Sequence, residues 1–429
     1  RLPTEPPLLP AQRKEQGASP KTDDAADRSA LMLRRFLRPC GGQSVRRQST
    51  AVQESTAVQV SLEPGDFATH RLDRQPEAVA WTSKGELLDY YKLMCTMRRL
   101  EMASFAAYQK RQVRGFLHLY DGQEAVATGI QHALTNDDSW ITSYRCHCIM
   151  LARGGTPEGI LAELMGNETG HMGGKGGSMH FYNKAQNYYG GQGIVGAQVP
   201  VGTGLAFANK YKTAPGATMP VAISCHGDGA ANQGQIAEAS NMAMLWKLPM
   251  IFGIENNHYG MGTSTKRSSS NPDYYTMGNL IPGIRVNGQN VLAVREATKL
   301  AKEHAAAGRG PIYLEFSTYR FNGHSASDAG LTYRQREEVK RMRTLFDPLK
   351  ITKDIALNNA IASKDELEAI RLQARADVEA AWERAKAAQP PAQAELLTNI
   401  YLDDDGKDEP PSYIRMPFSG DSVSAAEQQ

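Results

Sequence analysis

The stretch from Val221 to Asn257, VAISCHGDGAANQGQIAEASNMAMLWKLPMIFGIENN, narrows the possible folds more than any other part of the chain. Val221 to Cys225 is a short β-type apolar run, Gln235 to Lys247 carries helix formers with apolar residues at helical spacing, and Met250 to Ile254 is a second apolar run. Strand, helix and strand in this order make a βαβ unit, whose crossover sets the two strands parallel. The first strand runs out into Gly227-Asp228-Gly229 and the second into Asn256-Asn257. Both polar ends therefore emerge on the carboxyl edge of a parallel sheet, where open α/β folds bind ligands. The expected fold class is α/β, a parallel sheet flanked by helices.

The residues at that edge suit a magnesium diphosphate. Mg²⁺ takes oxygen ligands in near-octahedral geometry and shares them with phosphate, so one carboxylate and one amide oxygen suffice from side chains. Asp228 and Asn257 can supply them, with a backbone carbonyl near Tyr259 as a third. The glycines flanking Asp228, Gly229 among them, let the backbone approach phosphate, and the following helix offers its N-terminus to an anion. Gly-Asp-Gly alone is most often a tight turn. Its place after a strand, one helix ahead of Asn-Asn, gives it meaning here.

Further words lie in order along the chain: RGFLHLYDGQEA (114–125), GGKGGSMH (173–180), GIVGAQVP (193–200), GDGAANQGQ (227–235), ENNHYGMGTS (255–264) and YRFNGHSASDAG (319–330). Together they resemble the α subunits of the thiamine diphosphate-dependent 2-oxo acid dehydrogenases, pyruvate dehydrogenase type, over most of the span from Arg98 to Arg336. The resemblance implies a thiamine diphosphate-binding fold and oxidative decarboxylation of pyruvate with reductive acetylation of lipoyl groups. It implies that His118 meets substrate or intermediate and that His324 lies against the diphosphate, both as catalytic candidates. Tyr144 and Arg145 are to contact the diphosphate, the backbone at Gly193 and Val195 to face the pyrimidine, and Gly229 and Ala230 to line the cofactor beside Asp228. Asp228, Asn257 and Tyr259 are to hold Mg²⁺. Ser325 matches the main phosphorylation site and Ser264 and Thr332 the lesser ones, Thr332 standing where the family usually has Ser. Implied partners are a β subunit completing an α2β2 assembly and supplying the pyrimidine-side glutamate, a lipoyl acyltransferase core, and a regulatory kinase and phosphatase. The α subunit of a branched-chain 2-oxo acid or acetoin dehydrogenase is the alternative, against which GDGAANQGQ and RGFLHLYDGQEA weigh. A non-catalytic scaffold of the same fold is a second, against which the intact Asp228, Asn257, His118 and His324 weigh.

Composition excludes other classes. A formal net charge of +2 over 429 residues predicts no nucleic-acid surface, and no apolar run approaches bilayer length, so no membrane insertion is expected. Five cysteines without a spacing framework argue against a disulfide-stapled protein. Cys146-His147-Cys148 lacks a second ligand pair for zinc and reads as a loop or helix end. Gly191 to Gly196 satisfies G-x-G-x-x-G, but Gln186 to Gly190 does not read as an apolar strand and no Asp or Glu occurs from Ala197 to Gly227, so a dinucleotide site is not expected. Lys175, in Gly173-Gly174-Lys175-Gly176, lacks the following Ser or Thr of a P-loop.

Residues 1–31 form an upstream segment rich in Pro, Ala and charge. Residues 32–60, with Arg34, Arg35, Arg38, Arg46 and Arg47 and no acid between Asp27 and Glu54, read as a mitochondrial transit peptide, which points to the matrix. The cofactor domain is expected over 61–350, and a C-terminal helix and extended tail over 351–429. Helices are expected from Glu86 to Arg111, Gln123 to Ala133, Gly196 to Tyr211 and Val291 to Ala307, with strands at Trp140 to Arg145 and Pro311 to Thr318. Arg153 reads as a solvated helix-end charge, and the small residues from Ala197 to Ala208 as a surface for packing against another subunit. Ser363-Lys364-Asp365-Glu366 is a capping box opening a helix that stops before Pro390. Leu396, Leu397, Ile400 and Tyr401 are candidates for docking onto a partner.

Overall fold

The computed structural model describes residues 57–398. Residues 1–56, with most of the expected leader, and 399–429, with most of the expected tail, lie outside the described residues. The strands are β1 (Val58–Ser61), β2 (Phe67–His70), β3 (Val79–Thr82), β4 (Ser139–Ser143), β5 (Tyr188–Gln192), β6 (Ala222–Gly227), β7 (Met250–Asn256), β8 (Tyr259–Gly260), β9 (Thr263–Ser264), β10 (Gly283–Asn287) and β11 (Ile312–Ser317). Seven of them form one sheet in the order β2-β10-β11-β7-β6-β4-β5. All neighbours are parallel except β2, which runs antiparallel to β10 at the edge. β1 and β3 make a separate antiparallel pair, so the first strand starts inside the segment read as leader.

Both faces of the sheet are covered, as a parallel sheet requires. Along β6 and β7 the two-residue period divides the core. Ile223, Cys225 and Ile251 join the helices Lys84–Gln109, Glu124–Ala133 and Val291–Ala306 on one side, while Ala222, Met250, Phe252 and Ile254 join Gln198–Lys212 and Gly234–Leu245 on the other. Helix ends follow local chemistry. Ser83 and Asn290 cap their helices through side-chain oxygens, Pro157 opens the Pro157–Met165 helix behind Thr156, and Gly166 closes it in the left-handed conformation at φ 74°. Both hydrogen bonds of the expected capping box, between Ser363 and Glu366, are present on the Lys364–Ala387 helix.

Three expectations give way. A strand does exist where none was expected: β5 lies at the sheet edge beside β4, with Gly190 and Gly191 inside it. Its residues face the chain's own backbone, and a Cβ on Gly191 would meet the Met179 carbonyl at 2.5 Å, so the position demands glycine and hides the strand from an apolar pattern. Arg153 is not solvated but 1% exposed: Nη1 donates to the carbonyls of Thr135 and Gln186 at 3.2 and 3.1 Å, and its guanidinium stacks over Trp140. The small residues of the Gln198–Lys212 helix divide: Gly202 and Ala206 are buried within this chain, where a Cβ on Gly202 would strike Ser224 at 2.7 Å and Ile141 at 3.1 Å, while Gly204 is exposed with nothing of this chain against it. The exposed face of that helix also carries Val201, Phe207 and Tyr211.

The Glu124–Ala133 and Val291–Ala306 helices cross where Gly129 meets Val294, and a Cβ at Gly129 would lie 2.5 Å from Val294 Cγ1. Gly129→Ala is expected to destabilise the fold by about 1–3 kcal/mol through overpacking, read as a lower denaturant midpoint. His304, in the last turn of the second helix, keeps Nε2 buried without a partner, and burial, reinforced by Arg309 and Lys247, lowers its pKa to about 4. Its unfolded form titrates near 6.5, so the stability it contributes is full above that pH and is lost as pH falls through about 4. His304→Gln is expected to regain about 1 kcal/mol at pH 4.5 relative to its effect at pH 7.5, measured by denaturant unfolding at the two pH values.

Candidate functional site

β6 and β7 are neighbours with Gly227 opposite Glu255, so their polar ends leave the sheet side by side. Asp228 (1% exposed) and Asn257 (7%) line one cavity of about 290 Å³, together with Tyr144, Arg145, Glu255, Arg320 and His324. The turns after the two strands touch backbone to backbone: a Cβ on Gly229 would lie 3.2 Å from Gly260 Cα. The turn after β7 holds His258 (φ 69°) and Met261 (φ 56°) in the left-handed region, a conformation that persists at non-glycine positions only where surroundings enforce it. The β8–β9 hairpin spans this turn, and the His258 carbonyl accepts from the Thr265 amide at 3.0 Å.

Donors converge on these oxygens. Asn257 Nδ2 donates to Gln123 Oε1 at 3.0 Å, which turns Oδ1 the other way, where Arg320 Nη1 donates to it at 3.3 Å. Asp228 Oδ2 is buried with no hydrogen-bond partner, and burial lifts the carboxyl to about 6 against the lowering effect of nearby backbone amides, Arg320 and Arg145. A buried carboxylate oxygen without a donor is costly. A hard divalent cation beside it, sharing Asn257 Oδ1 and the Tyr259 carbonyl, fits the donor set. Asn256, by contrast, is a structural residue, donating to Glu315 Oε1 at 2.7 Å and accepting from the His258 amide at 3.1 Å.

A second cavity of about 670 Å³ adjoins the first through Tyr144, Val195, Met261 and His324 and adds Phe116, His118 and Gly193. The Tyr144 ring lies 4.4 Å from that of His118 and 5.8 Å from that of His324, and the two imidazoles are 5.1 Å apart. Burial, then the charge of Arg145, lowers His118 to about 2 and His324 to about 4, so both are neutral near pH 7. Arg145 is 4% exposed and anchored by its own chain, Nη1 donating to the Leu119 carbonyl and Nη2 to that of His324 at 3.0 Å. Ala230 lines the first cavity at the start of a short 3₁₀ turn.

The three hydroxyl candidates differ in access. Ser325 is buried, its Oγ 2.9 Å from Ser327 Oγ; Ser264 is half-buried ahead of the single helical turn Thr265–Ser268; Thr332 is exposed. Asp328 ties this segment together, accepting from the amides of His324 at 2.7 Å and Gly330 at 2.8 Å and from the Tyr333 hydroxyl. Cys146 and Cys148 are buried free thiols at the start of the His147–Ala152 helix.

Sequence reasoning passed over several residues that shape the site. Glu255, in the same word as Asn257, lines the cavity and accepts from the Tyr120 hydroxyl; burial raises its carboxyl to about 7. Gln123 and Arg320 fall inside words that signalled the family, but neither residue type announces a site alone. Glu163 gave no signal: its fully buried carboxylate accepts from the amides of Met172, Gly174, Gly176 and Gly177, at 2.8, 2.9, 2.6 and 3.2 Å, and so folds the glycine-rich segment around itself.

A mostly parallel sheet flanked by helices, with acid, amide and guanidinium groups gathered at its carboxyl edge, defines an α/β protein built to take an anionic ligand at the strand ends. Residues 92–394 match the family described as the dehydrogenase E1 component. The chain belongs to that family. It is 53% identical over 321 residues to the mitochondrial pyruvate dehydrogenase E1 component subunit alpha of Dictyostelium discoideum, covering 75% of this chain and 84% of the relative. Subunit alpha-1 of the same component from Oryza sativa subsp. japonica is 47% identical over 374 residues, 87% of this chain and 94% of the relative. The testis-specific mitochondrial alpha subunit of Homo sapiens is 44% identical over 375 residues, 87% and 95%.

Tyr120→Phe removes the hydroxyl that satisfies the buried Glu255 carboxyl. It is expected to destabilise the protein by about 1–3 kcal/mol in thermal or denaturant unfolding.

Proposed function

We propose that the chain acts as the α subunit of a mitochondrial, thiamine diphosphate- and Mg²⁺-dependent pyruvate dehydrogenase E1 component, decarboxylating pyruvate and passing the acetyl group to lipoyl arms of an acyltransferase core in the matrix. Family membership and relatives that all carry that name support the reading. The single observation that carries it is the lone Asp228 Oδ2, buried beside Asn257 in the strand-end cleft.

In this reading Asp228, Asn257 and the Tyr259 carbonyl hold the metal, and Arg145, Tyr144 and His324 face the diphosphate. Gly229 and Ala230 line it by backbone, and Gly193 and Val195 bound the pyrimidine side. Thiamine diphosphate, when bound, supplies the carbon nucleophile and electron sink for decarboxylation. The chain's own residues do the rest. Arg145 and Arg320 set a positive field for the anion, and the same field, with burial, keeps His118 and His324 neutral. Each imidazole can then donate one hydrogen bond and accept another without adding charge. His118, which lines the adjoining cavity, serves the substrate side in this reading.

Both carboxylates lining the first cavity, Asp228 and Glu255, rise from the ends of β6 and β7. This supports a β subunit bringing the pyrimidine-side glutamate, as do Phe116 and Met261, apolar, 63% and 65% exposed and lining the second cavity. The matching strand β1 supports a mature chain that begins upstream of Val58, after removal of the leader. Phosphorylation of Ser325 by a kinase, reversed by a phosphatase, with Ser264 and Thr332 as further positions, would place close to two negative charges between His324 and the Asp328 carboxylate. The buried hydroxyl must first leave its contact with Ser327 for that to happen.

Asp228→Ala is expected to weaken Mg²⁺-dependent thiamine diphosphate binding by at least about 100-fold, more than loss of an outer partner of a metal ligand costs. Calorimetric titration of the reconstituted α and β subunits measures it, and unchanged affinity removes the metal role. The chain without its partner is expected to show almost no turnover of pyruvate. Ser325→Glu is expected to lower turnover of the reconstituted enzyme by more than about tenfold; normal turnover counts against control by charge.

A further inference from the structure

Arg320 follows β11 and is 1% exposed. Nη1 donates to the Tyr259 carbonyl at 2.6 Å and to Asn257 Oδ1 at 3.3 Å; Nη2 donates to the Met261 carbonyl at 2.7 Å and the Tyr333 hydroxyl at 2.9 Å. Nε is buried without a partner. All these acceptors are neutral, so the guanidinium is held by dipoles rather than by a carboxylate. Two of them are the oxygens that the proposed function assigns to the metal. One guanidinium nitrogen thus touches both, and a divalent ion bound to the same oxygens would be its immediate neighbour.

We propose that Arg320 makes metal binding conditional on the diphosphate: its charge already serves the ligand oxygens and repels a bare divalent cation, and only the arriving anion offsets the second cation. The inference rests on reading Asp228, Asn257 and Tyr259 as metal ligands. Arginine stays charged in such surroundings, and like charges in a water-poor site interact strongly. The two carboxylates that line the cavity, Asp228 and Glu255, cannot neutralise Arg145, Arg320 and a divalent ion together. A diphosphate brings the missing negative charge and gives the guanidinium new acceptors. The metal therefore enters with the cofactor and leaves with it, and the chain does not hold a metal in a cofactor-free site.

The test is Mn²⁺ binding, followed by electron paramagnetic resonance of the free ion, to the assembled α and β subunits stripped of cofactor, then with thiamine diphosphate added. Without cofactor, Arg320→Gln is expected to bind Mn²⁺ about tenfold more tightly than wild type, within the usual range of coupling between sites, while Arg320→Lys, which keeps the charge and loses the fork, stays close to wild type. Adding thiamine diphosphate should raise wild-type affinity far more than that of Arg320→Gln. Equal or weaker Mn²⁺ binding by Arg320→Gln, or Arg320→Lys shifting alongside it, overturns the inference in favour of a purely geometric clamp. Should Arg320→Gln fail to assemble, wild type still decides, because Mn²⁺ binding as tight without cofactor as with it also overturns the inference. If wild type with thiamine diphosphate binds no Mn²⁺, or Asp228→Ala binds it equally well, the metal reading itself falls; Arg320-independent binding at an intact site sinks this inference alone.

Discussion

The parallel pairing of β6 with β7 is the constraint on which the rest of the site depends. Their ladder places Gly227 opposite Glu255, and both strands are buried almost along their whole length, so neither can slip without exchanging its core faces. A fixed register sets where Asp228 and Asn257 leave the sheet. The contact of Gly229 with Gly260 then lets the two following turns close on each other, and any side chain there would hold them apart. The strained residues His258 and Met261 persist because the hairpin, Arg320 and this glycine contact determine that turn from three sides. Rigidity built from the core is thus spent on holding oxygens.

Charge in the cleft is unbalanced by design of the packing. Arg145 and Arg320 are buried and satisfied mainly by carbonyls, while the two lining carboxyls, Asp228 and Glu255, are both raised by burial. The imidazoles nearby are pushed down by burial and then by Arg145, which removes the charge they could have added. The result is a cavity whose fixed cations outweigh its fixed anions, and whose neutral donors are already oriented. Such a site gains most from a multivalent anion, because preorganised dipoles need no rearrangement when it arrives. Fold and electrostatics reach the same ligand class from separate premises.

How much of this could be read beforehand depended on whether the cause was local. The βαβ unit from Val221 to Asn257 was legible because apolar period, helix length and terminal glycines agree, and the capping box at Ser363 because it needs only four residues. The strand β5 was not, since Gly190 is required by the Phe181 carbonyl and Gly191 by those of Met179 and Ser143, which lie elsewhere in sequence. Arg153 misled for a similar reason: its acceptors are carbonyls of Thr135 and Gln186, which no pattern around position 153 records. In the Gln198–Lys212 helix Gly202 does make a close approach, but to Ser224 and Ile141 of the same chain, while Gly204 stays exposed. Among site residues, Asp228 and Asn257 stood out by position relative to strands, whereas Arg320 and Gln123 acquire meaning only from the oxygens they meet.

The glycine-rich segment shows how far the support of the site extends from it. Gly173, Gly174 and Gly177 adopt positive φ, and this stretch contributes little to either apolar core, so its shape cannot come from hydrophobic packing. It comes from one carboxylate, that of Glu163, which accepts four backbone amides, and a Cβ on Gly170 would sit 2.3 Å from its Oε2. The end of the long C-terminal helix adds a second hold: Asn167 Nδ2 donates to the Ala385 carbonyl at 2.9 Å, the Glu168 amide to that of Gln389 at 2.9 Å, and Lys175 pairs with Glu395 at 3.2 Å. His147 links the same segment inward, between the carbonyl of Ser178 and the carboxylate of Glu101, which also accepts from the Tyr120 amide. Tyr120 in turn bonds Glu255 in the cleft. A continuous polar chain therefore runs from the last helix through the glycine-rich segment to the floor of the site; its links through Asn167, Glu163, His147, Glu101 and Tyr120 go to buried charges or carbonyls, the class of contact whose loss costs most, while the Lys175–Glu395 pair is exposed.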